Sequence, residues 1–275
     1  MQRPARPQRD SRSRQSAKSA MPLALIIPAA IGVAFLVLPL VGLISAASWS
    51  SLPSRLTEPD ILQALWLSIQ AATLATIVCV VLGVPLAWML ARVEFPGVKV
   101  VRALVTVPLV LPPVVGGVAL LLAFGRNGFV GSWLFDTFGV SLPFTTTGVV
   151  VAEAFVAMPF LVISVESALR SSDTRLEEAA ATLRAGRWAT FVHVTLPLVT
   201  PGIAAGAVLC WARALGEFGA TITFAGNFPG RTQTMPLAVY LALQSDLEAA
   251  IVLSLILLVL SVTILAALRD KWVAR

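Results

Sequence analysis

The sequence predicts an all-α protein, a polytopic transmembrane bundle of about six spans. Composition points there first: 57% of the 275 residues are hydrophobic and 12% charged, with mean hydropathy +0.88. Soluble domains carry about 25% charged residues. Apolar runs then recur along the whole length, each near the ~20 residues that cross ~30 Å of hydrocarbon. Finally, the apolar/polar alternation of a membrane β-barrel is missing. Backbone amides in lipid must be satisfied within their own segment, so these runs are expected to be helices.

Residues 1–20 are polar and basic, with Arg3, Arg6, Arg9, Arg12, Arg14 and Lys18 against Asp10 alone. Their prolines and serines predict a disordered tail. The apolar run that follows, 22–47, exceeds the h-region of a signal peptide, so it is read as a retained first span. The further spans are expected at 63–91, 103–124, 147–169, 199–223 and 248–268. Residues 21–275 thus form one transmembrane domain, with no second soluble domain and no internal repeat. With the N-terminus inside, the segments 1–20, 92–102, 170–187 and 269–275 hold sixteen Lys and Arg, whereas the outer loops hold only Arg55, Arg126 and Arg231. The positive-inside rule then makes both termini and the 170–198 loop cytoplasmic, in a cell (inner or plasma) membrane. This distribution explains a pI near 10.3 and a net charge of +6 without nucleic acid. Trp49, Trp66 and Trp133 fall near outer ends and Trp88 and Trp272 near inner ends, as interfacial anchors do. Cys79 and Cys210 sit inside apolar runs and read as small buried hydrophobes.

The loop at 170–198 is a charged island between two spans. Ser171-Ser172-Asp173-Thr174 is rich in N-cap residues, and Thr174 with Glu177 has the capping-box spacing. Glu177 and Glu178 fall in the first turn, where carboxylates favour the helix dipole. Ala179, Ala180, Ala181 and Leu183 are strong helix formers, and Gly186 is a natural stop. A short helix of about three turns is expected near 174–186, with a small-residue surface suited to docking.

The third span carries Pro108, Pro112 and Pro113 followed by Gly116 and Gly117. Proline removes backbone donors and glycine allows close approach, so a broken helix is expected. Such breaks are tolerated at membrane depth where they are buried or line a cavity. The fifth span holds Gly202-x-x-x-Gly206 and then Arg213 and Glu217, four apart on one helix face and able to pair. Ionisable groups at this depth are functional candidates, either as an anion guide or as a neutralised lock between helices. Glu166 is expected near the inner end, where it can snorkel; Glu153 lies nearer the outer end and is not placed on the pathway, because an acid lining an anion pathway would repel the substrate.

Glu178-Ala179-Ala180 followed at fixed spacing by Val194-x-Leu196-Pro197 resembles the "EAA" loop of ABC importer permeases. Arg184 stands where that family usually has glycine, and Gly186 is expected to serve the same turn. The run Arg213 to Asn227, continued by Pro229-Gly230-Arg231-Thr232-Gln233-Thr234-Met235-Pro236-Leu237, resembles the signature of molybdate importer permeases. Leu109–Gly117 matches the same group, and the likeness covers about residues 22–268. Sulfate permeases share the core Leu215–Gly219 and then diverge. The resemblance implies a type I importer permease carrying molybdate or tungstate. It implies a homodimer with a second copy of this chain, a cytoplasmic ABC ATPase dimer and an extracytoplasmic molybdate-binding protein. ATP and Mg would sit on the ATPase, with no cofactor on this chain. Glu177, Glu178, Ala179, Ala180, Leu183, Gly186, Leu196 and Pro197 would couple to the ATPase. Pro112, Pro113, Gly116, Gly117, Arg213, Glu217, Gly219 and Thr221 would form the pathway or gate.

Other classes fit less well. No Walker motif is present, so the chain has no ATP site of its own and is not itself an enzyme. His193, the only histidine, lies in the 170–198 loop, and no His-Glu-x-x-His motif supports an intramembrane hydrolase. An ion-coupled secondary transporter would need intramembrane acids as ligands, which are scarce here. A sulfate or thiosulfate permease is the nearest alternative substrate class.

Overall fold

The computed structural model describes residues 23–273, and the basic tail 1–20 lies outside them. Helix α1, Leu23–Ser45, is a unit by itself. Its 23 residues are apolar all round, and its side chains are almost entirely exposed within this unit. At 1.5 Å per residue it spans about 34 Å, enough to cross a bilayer.

The second unit begins at Ala47. Its centre is three long helices: α3 (Pro59–Arg92), α7 (Thr146–Ser171) and α10 (Leu196–Leu215). Lipid tails are as apolar as leucine, so these helices are held by close van der Waals packing rather than by exclusion of water. The contact residues are accordingly small. Ala71, Ala72, Ala75, Cys79 and Ala87 of α3 meet Ala154, Ala157, Leu161 and Val165 of α7, with Cys210 and Ala214 of α10. Both cysteines are fully buried and free, and the Cys79 thiol donates to the Ala154 carbonyl at 3.4 Å. The Gly202-x-x-x-Gly206 stripe lies against α7. The Ser164 hydroxyl donates to the Gly202 carbonyl at 3.2 Å, and a Cβ at Gly206 would stand 2.9 Å from that of Ser164.

The third span is two helices, α4 (Val98–Val110) and α5 (Pro113–Phe124). Leu111 and Pro112 between them are extended, and Pro113 occupies the first turn of α5, where its missing N–H costs nothing. The fifth span differs from its expected bounds. The helix starts earlier, with the short α9 (Arg187–Thr190) and a π turn (Phe191–Thr195) running without interruption into α10. It then stops at Leu215, and α11 (Gly219–Ala225) follows as a separate piece. The segment 170–198 is therefore not a loop with one helix: Val194–Pro197 belong to a 29-residue helical run, Arg187–Leu215.

Three short helices had no counterpart in the sequence reading: α2 (Leu52–Arg55), α6 (Gly131–Phe138) and α12 (Met235–Ala242). The last helix, α13 (Leu247–Val273), packs with α12 and α3 around Ile61, Ala64, Met235 and Leu253. Arg55 of α2 reaches Asp246, just before α13, at 2.9 Å. The amide of Ala249 and the Arg55 guanidinium together hold the Asp246 carboxyl below the usual carboxylate range. Trp49, Trp66 and Trp133 are exposed, as anchors are, whereas Trp88 packs edge-on against Phe191 at 5.9 Å. The Trp272 side chain lies outside the described residues.

Because α10 meets α7 through glycine, Gly206→Leu is expected to destabilise the bundle by about 1–3 kcal/mol, the range of core overpacking. The check is the thermal unfolding midpoint in detergent, which should fall well below that of a Leu209→Ala control on an exposed position.

Candidate coupling helix and helix-break cluster

Helix α8, Arg175–Thr182, is the short helix expected in the charged island. It is eight residues rather than three turns, and it starts differently. Thr174 makes no capping hydrogen bond; instead Asp173 accepts from the Arg175 amide at 3.0 Å. Glu177 does not close a capping box, because stronger donors hold it. Its Oε1 accepts from Arg92 Nη2 at 3.1 Å and from the Thr195 hydroxyl at 3.2 Å. Arg92 Nη2 also donates to Ser172 Oγ at 2.8 Å.

The end of α8 corrects a second expectation. The Arg184 amide bonds to the Ala181 carbonyl at 3.0 Å and that of Ala185 to Ala180 at 3.1 Å. These are the two bonds of a Schellman stop, whose left-handed position is usually glycine. Here Arg184 itself takes that conformation, at φ +58°. Gly186 does not serve the turn; it is extended, at φ −65° and ψ 155°, and begins α9.

The outer face of this end of the molecule is apolar. Leu183 is 83% and Trp188 76% exposed. Leu176, Ala179, Ala180 and Leu183 form a shallow groove with Val194, Pro197 and Leu198, and exposed His193 borders it. Glu178 and Gly186 are exposed, while Leu196 turns inward onto the bundle core. The His193 ring nitrogen Nδ1 lies 3.0 Å from the Ala189 carbonyl.

Arginines order the same end of the bundle in a way the sequence reading missed. Glu166 does not snorkel: it is 8% exposed, and its Oε1 accepts from Arg102 and Arg170, both at 3.0 Å. Both arginines also reach the Leu90 carbonyl, so one carboxylate gathers α3, α4 and α7. Arg92, Arg102 and Arg170 entered the sequence reading only as charges in a topology count. Nothing in their spacing names their partners, which come from other helices.

Deeper in the bundle, the two helix breaks meet. A Cβ on Gly219 would stand 2.8 Å from that of Pro113, and one on Gly117 would stand 2.6 Å from that of Thr223. Gly116 faces Phe155 of α7, and Pro112 is exposed. Arg213 and Glu217 pair at 2.6 Å. The lock they form is not between separate spans: it joins the last turn of α10 to the break itself. Glu217, 1% exposed, also accepts the Ala220 amide at 2.8 Å, satisfying a donor in the first turn of α11. Thr221 is fully buried, and its hydroxyl has no partner among the described residues. Glu153, also 1% exposed, lies within Coulombic range of Glu217. All the candidate pathway residues except Pro112 thus gather around the α5–α11 contact, while the coupling candidates other than Leu196 lie on α8 or close to its end.

The chain belongs to the family of binding-protein-dependent transport system inner membrane components, whose model matches residues 83–275. Its fold is that of the type I ABC importer permeases. A bacterial ABC transporter involved in import of the acidic polysaccharide alginate superposes with TM-score 0.74 over 90% of this chain and 93% of that one, at 19% identity. Among curated proteins, the molybdenum transport system permease protein ModB of Mycobacterium bovis is 46% identical over 241 residues, 88% of this chain and 91% of that protein. The ModB protein of Escherichia coli is 43% identical over 80% of this chain and 96% of its own length. The sulfate transport system permease protein CysT of Escherichia coli is 37% identical over 85% of this chain and 86% of its own. The protein is a multi-pass membrane protein and a permease-type subunit.

A side chain in the left-handed region costs about 1 kcal/mol that glycine avoids. Arg184→Gly is therefore expected to slow amide exchange at Leu183, Arg184 and Ala185 severalfold, read by hydrogen–deuterium exchange. Gly186→Ala, at an ordinary φ, should leave those amides unchanged.

Proposed function

We propose that this chain is the membrane subunit of an ATP-driven importer that brings molybdate, and the similar dianion tungstate, into the cytoplasm. The observation that carries this reading is 46% identity to a molybdenum permease across nearly all of both chains, against 37% for a sulfate permease. Two copies of the chain would enclose the pathway, with a cytoplasmic ABC ATPase dimer below and a molybdate-binding protein outside. The complex with a substrate-bound periplasmic protein known for an alginate importer of the same fold supports the last of these. The arginine and lysine distribution supports cytoplasmic termini in the cell membrane, which puts α8 on the side of the ATPase.

The mechanism divides labour between chains. Phosphoryl chemistry, with ATP and Mg, belongs to the ATPase, since this chain carries no Walker motif. Its own contribution is a docking surface: the Leu176–Leu183 face of α8 with Val194, Pro197 and Leu198 is apolar and exposed, as a partner-covered patch is. Closure of the ATPase dimer would move α8, and the continuous run Arg187–Leu215 would carry that motion to the breaks at Leu111–Pro112 and Gly216–Phe218. There Arg213 pairs with Glu217, so a movement of α10 against the break would expose or neutralise this cation. Sulfate is the second reading, favoured by the likeness to CysT. Discrimination among tetrahedral dianions is assigned to the external binding protein.

Labelled molybdate uptake should vanish when the chain is deleted, with competition from tungstate but not from sulfate. Persistent uptake in cells with no other route, or competition by sulfate alone, would move the assignment to sulfate. Ala180→Glu, which places a charge in the apolar groove, should weaken co-purification of the ATPase. Undiminished co-purification would remove α8 as the docking element.

A further inference from the structure

Helix α8 has no buried residue: its apolar side chains border a shallow open groove with Val194, Pro197 and Leu198 instead of entering the bundle core. Its hydrogen bonds to the spans run through one carboxylate. The Glu177 carboxylate lies among groups from three other places: Arg92 at the end of α3, Thr195 at the end of the π turn, and, through Arg92, Ser172 just after α7. This knot is largely out of water, with side-chain exposures of 14% for Arg92 and 20% for Glu177. Thr195 is only 2% exposed. Beside the knot is a cleft of about 430 Å³, lined by Trp88, Glu94, Ala181, Arg187 and Phe191 among others. The cleft leaves α8 room to tilt, so its orientation relative to α3 depends on the polar contacts at its edge.

We propose that Arg92 is a positioning residue that clamps α8 to α3, α7 and the π turn, so that a displacement of α8 becomes a displacement of the spans. This inference rests on the importer reading above. The clamp has the properties the task demands. A charge-assisted hydrogen bond shielded from water is directional and stiff, whereas an apolar contact of the same area would let α8 slide. Arg92 Nη2 serves Glu177 and Ser172 together, so the ends of α3, α7 and α8 cannot part without breaking it. Thr195 brings in the helix that leads to the breaks. It lies where the regular i→i−4 ladder widens into a π turn, a local geometry that recurs at functional sites. In the intact clamp α8, α3 and the 187–215 helix move as one body. Without it, α8 still docks through its apolar face but swings about its two connecting segments, and the spans stay behind.

The test uses the complete importer, with its ATPase and binding protein, in proteoliposomes, and reads molybdate transported per ATP hydrolysed. Arg92→Ala should lower that ratio about tenfold, the order expected when a charge-assisted hydrogen bond is lost, while ATPase co-purification and hydrolysis stay within about twofold of wild type. Arg92→Lys, which restores a cation to Glu177, should recover most of the ratio; a purely structural defect would not be rescued in this way. Thr195→Val keeps the shape and removes the hydroxyl, so it should lower the ratio too. Combined with Arg92→Ala it should add little, since both act through Glu177. A wild-type ratio in Arg92→Ala overturns the proposal. Should Arg92→Ala fail to assemble, a wild-type ratio in Thr195→Val overturns it instead. Failure of the wild-type chain to assemble with an ATPase, or to move molybdate at all, overturns the importer reading and is distinguished by being seen before any substitution.

Discussion

Close approach of helices without a hydrophobic driving force is the constraint on which this structure rests. In lipid an exposed leucine costs nothing, so α3, α7 and α10 gain by associating only if their backbones come near enough for dispersion and interhelical hydrogen bonds. Alanines at 71, 72, 75, 87, 154, 157 and 214, both cysteines, and glycines 83, 202 and 206 meet that demand. Every other feature hangs on this core. It leaves the α5–α11 contact to one side, where two broken helices meet through Gly117 and Gly219. It also sets α8 at one end, held by side chains rather than by burial.

Three of the buried or half-buried carboxylates follow the complementary rule, whereas Glu153 has no charged partner among the described residues. A charge taken out of water must be paired and hydrogen-bonded. Glu166 has two arginines, Glu177 an arginine and a hydroxyl, and Glu217 an arginine and a backbone amide. In each the carboxylate is shielded, even where its arginine, as with Arg102 and Arg170, reaches water. Each sits where separate elements converge: the end of α3 against α7 and α8, or the end of α10 against α11. These three ion-pair clusters therefore fall at joints between elements. Such a distribution suits a protein that changes shape by moving whole helices against one another.

The arrangement of α8 and a remote break suits the proposed division of labour between this chain and an ATPase. The run from Arg187 to Leu215 begins next to α8 and ends at the Glu217 break, so one continuous helix connects the two candidate sites. A helix transmits displacement along its axis, and its π turn is the one place where that run departs from regular geometry. Arg184 completes the picture: a non-glycine residue in left-handed conformation stops α8 after eight residues and turns the chain back toward the bundle.

Much of the fold was legible in the sequence. Hydropathy located the spans to within a few residues for α1, α3 and α7, because membrane thickness dictates their length. Three prolines announced the break near Pro112, and the four-residue spacing announced the Arg213–Glu217 pair. The EAA pattern and the Arg213–Leu237 run pointed to the family. What the sequence could not place were contacts between distant segments. Arg92, Ser172 and Thr195 look unremarkable in isolation and become one knot only when α3, α7 and the π turn converge. The capping box at Thr174 and Glu177 failed for the same reason: a local hydrogen bond competed with an arginine 85 residues away, and the charged donor won. Composition and periodicity by themselves determined that this chain spans a membrane and where it bends. Only the tertiary structure decided which charges meet, because pairing across a bundle depends on helix rotation and depth, and neither is written in the spacing along one helix.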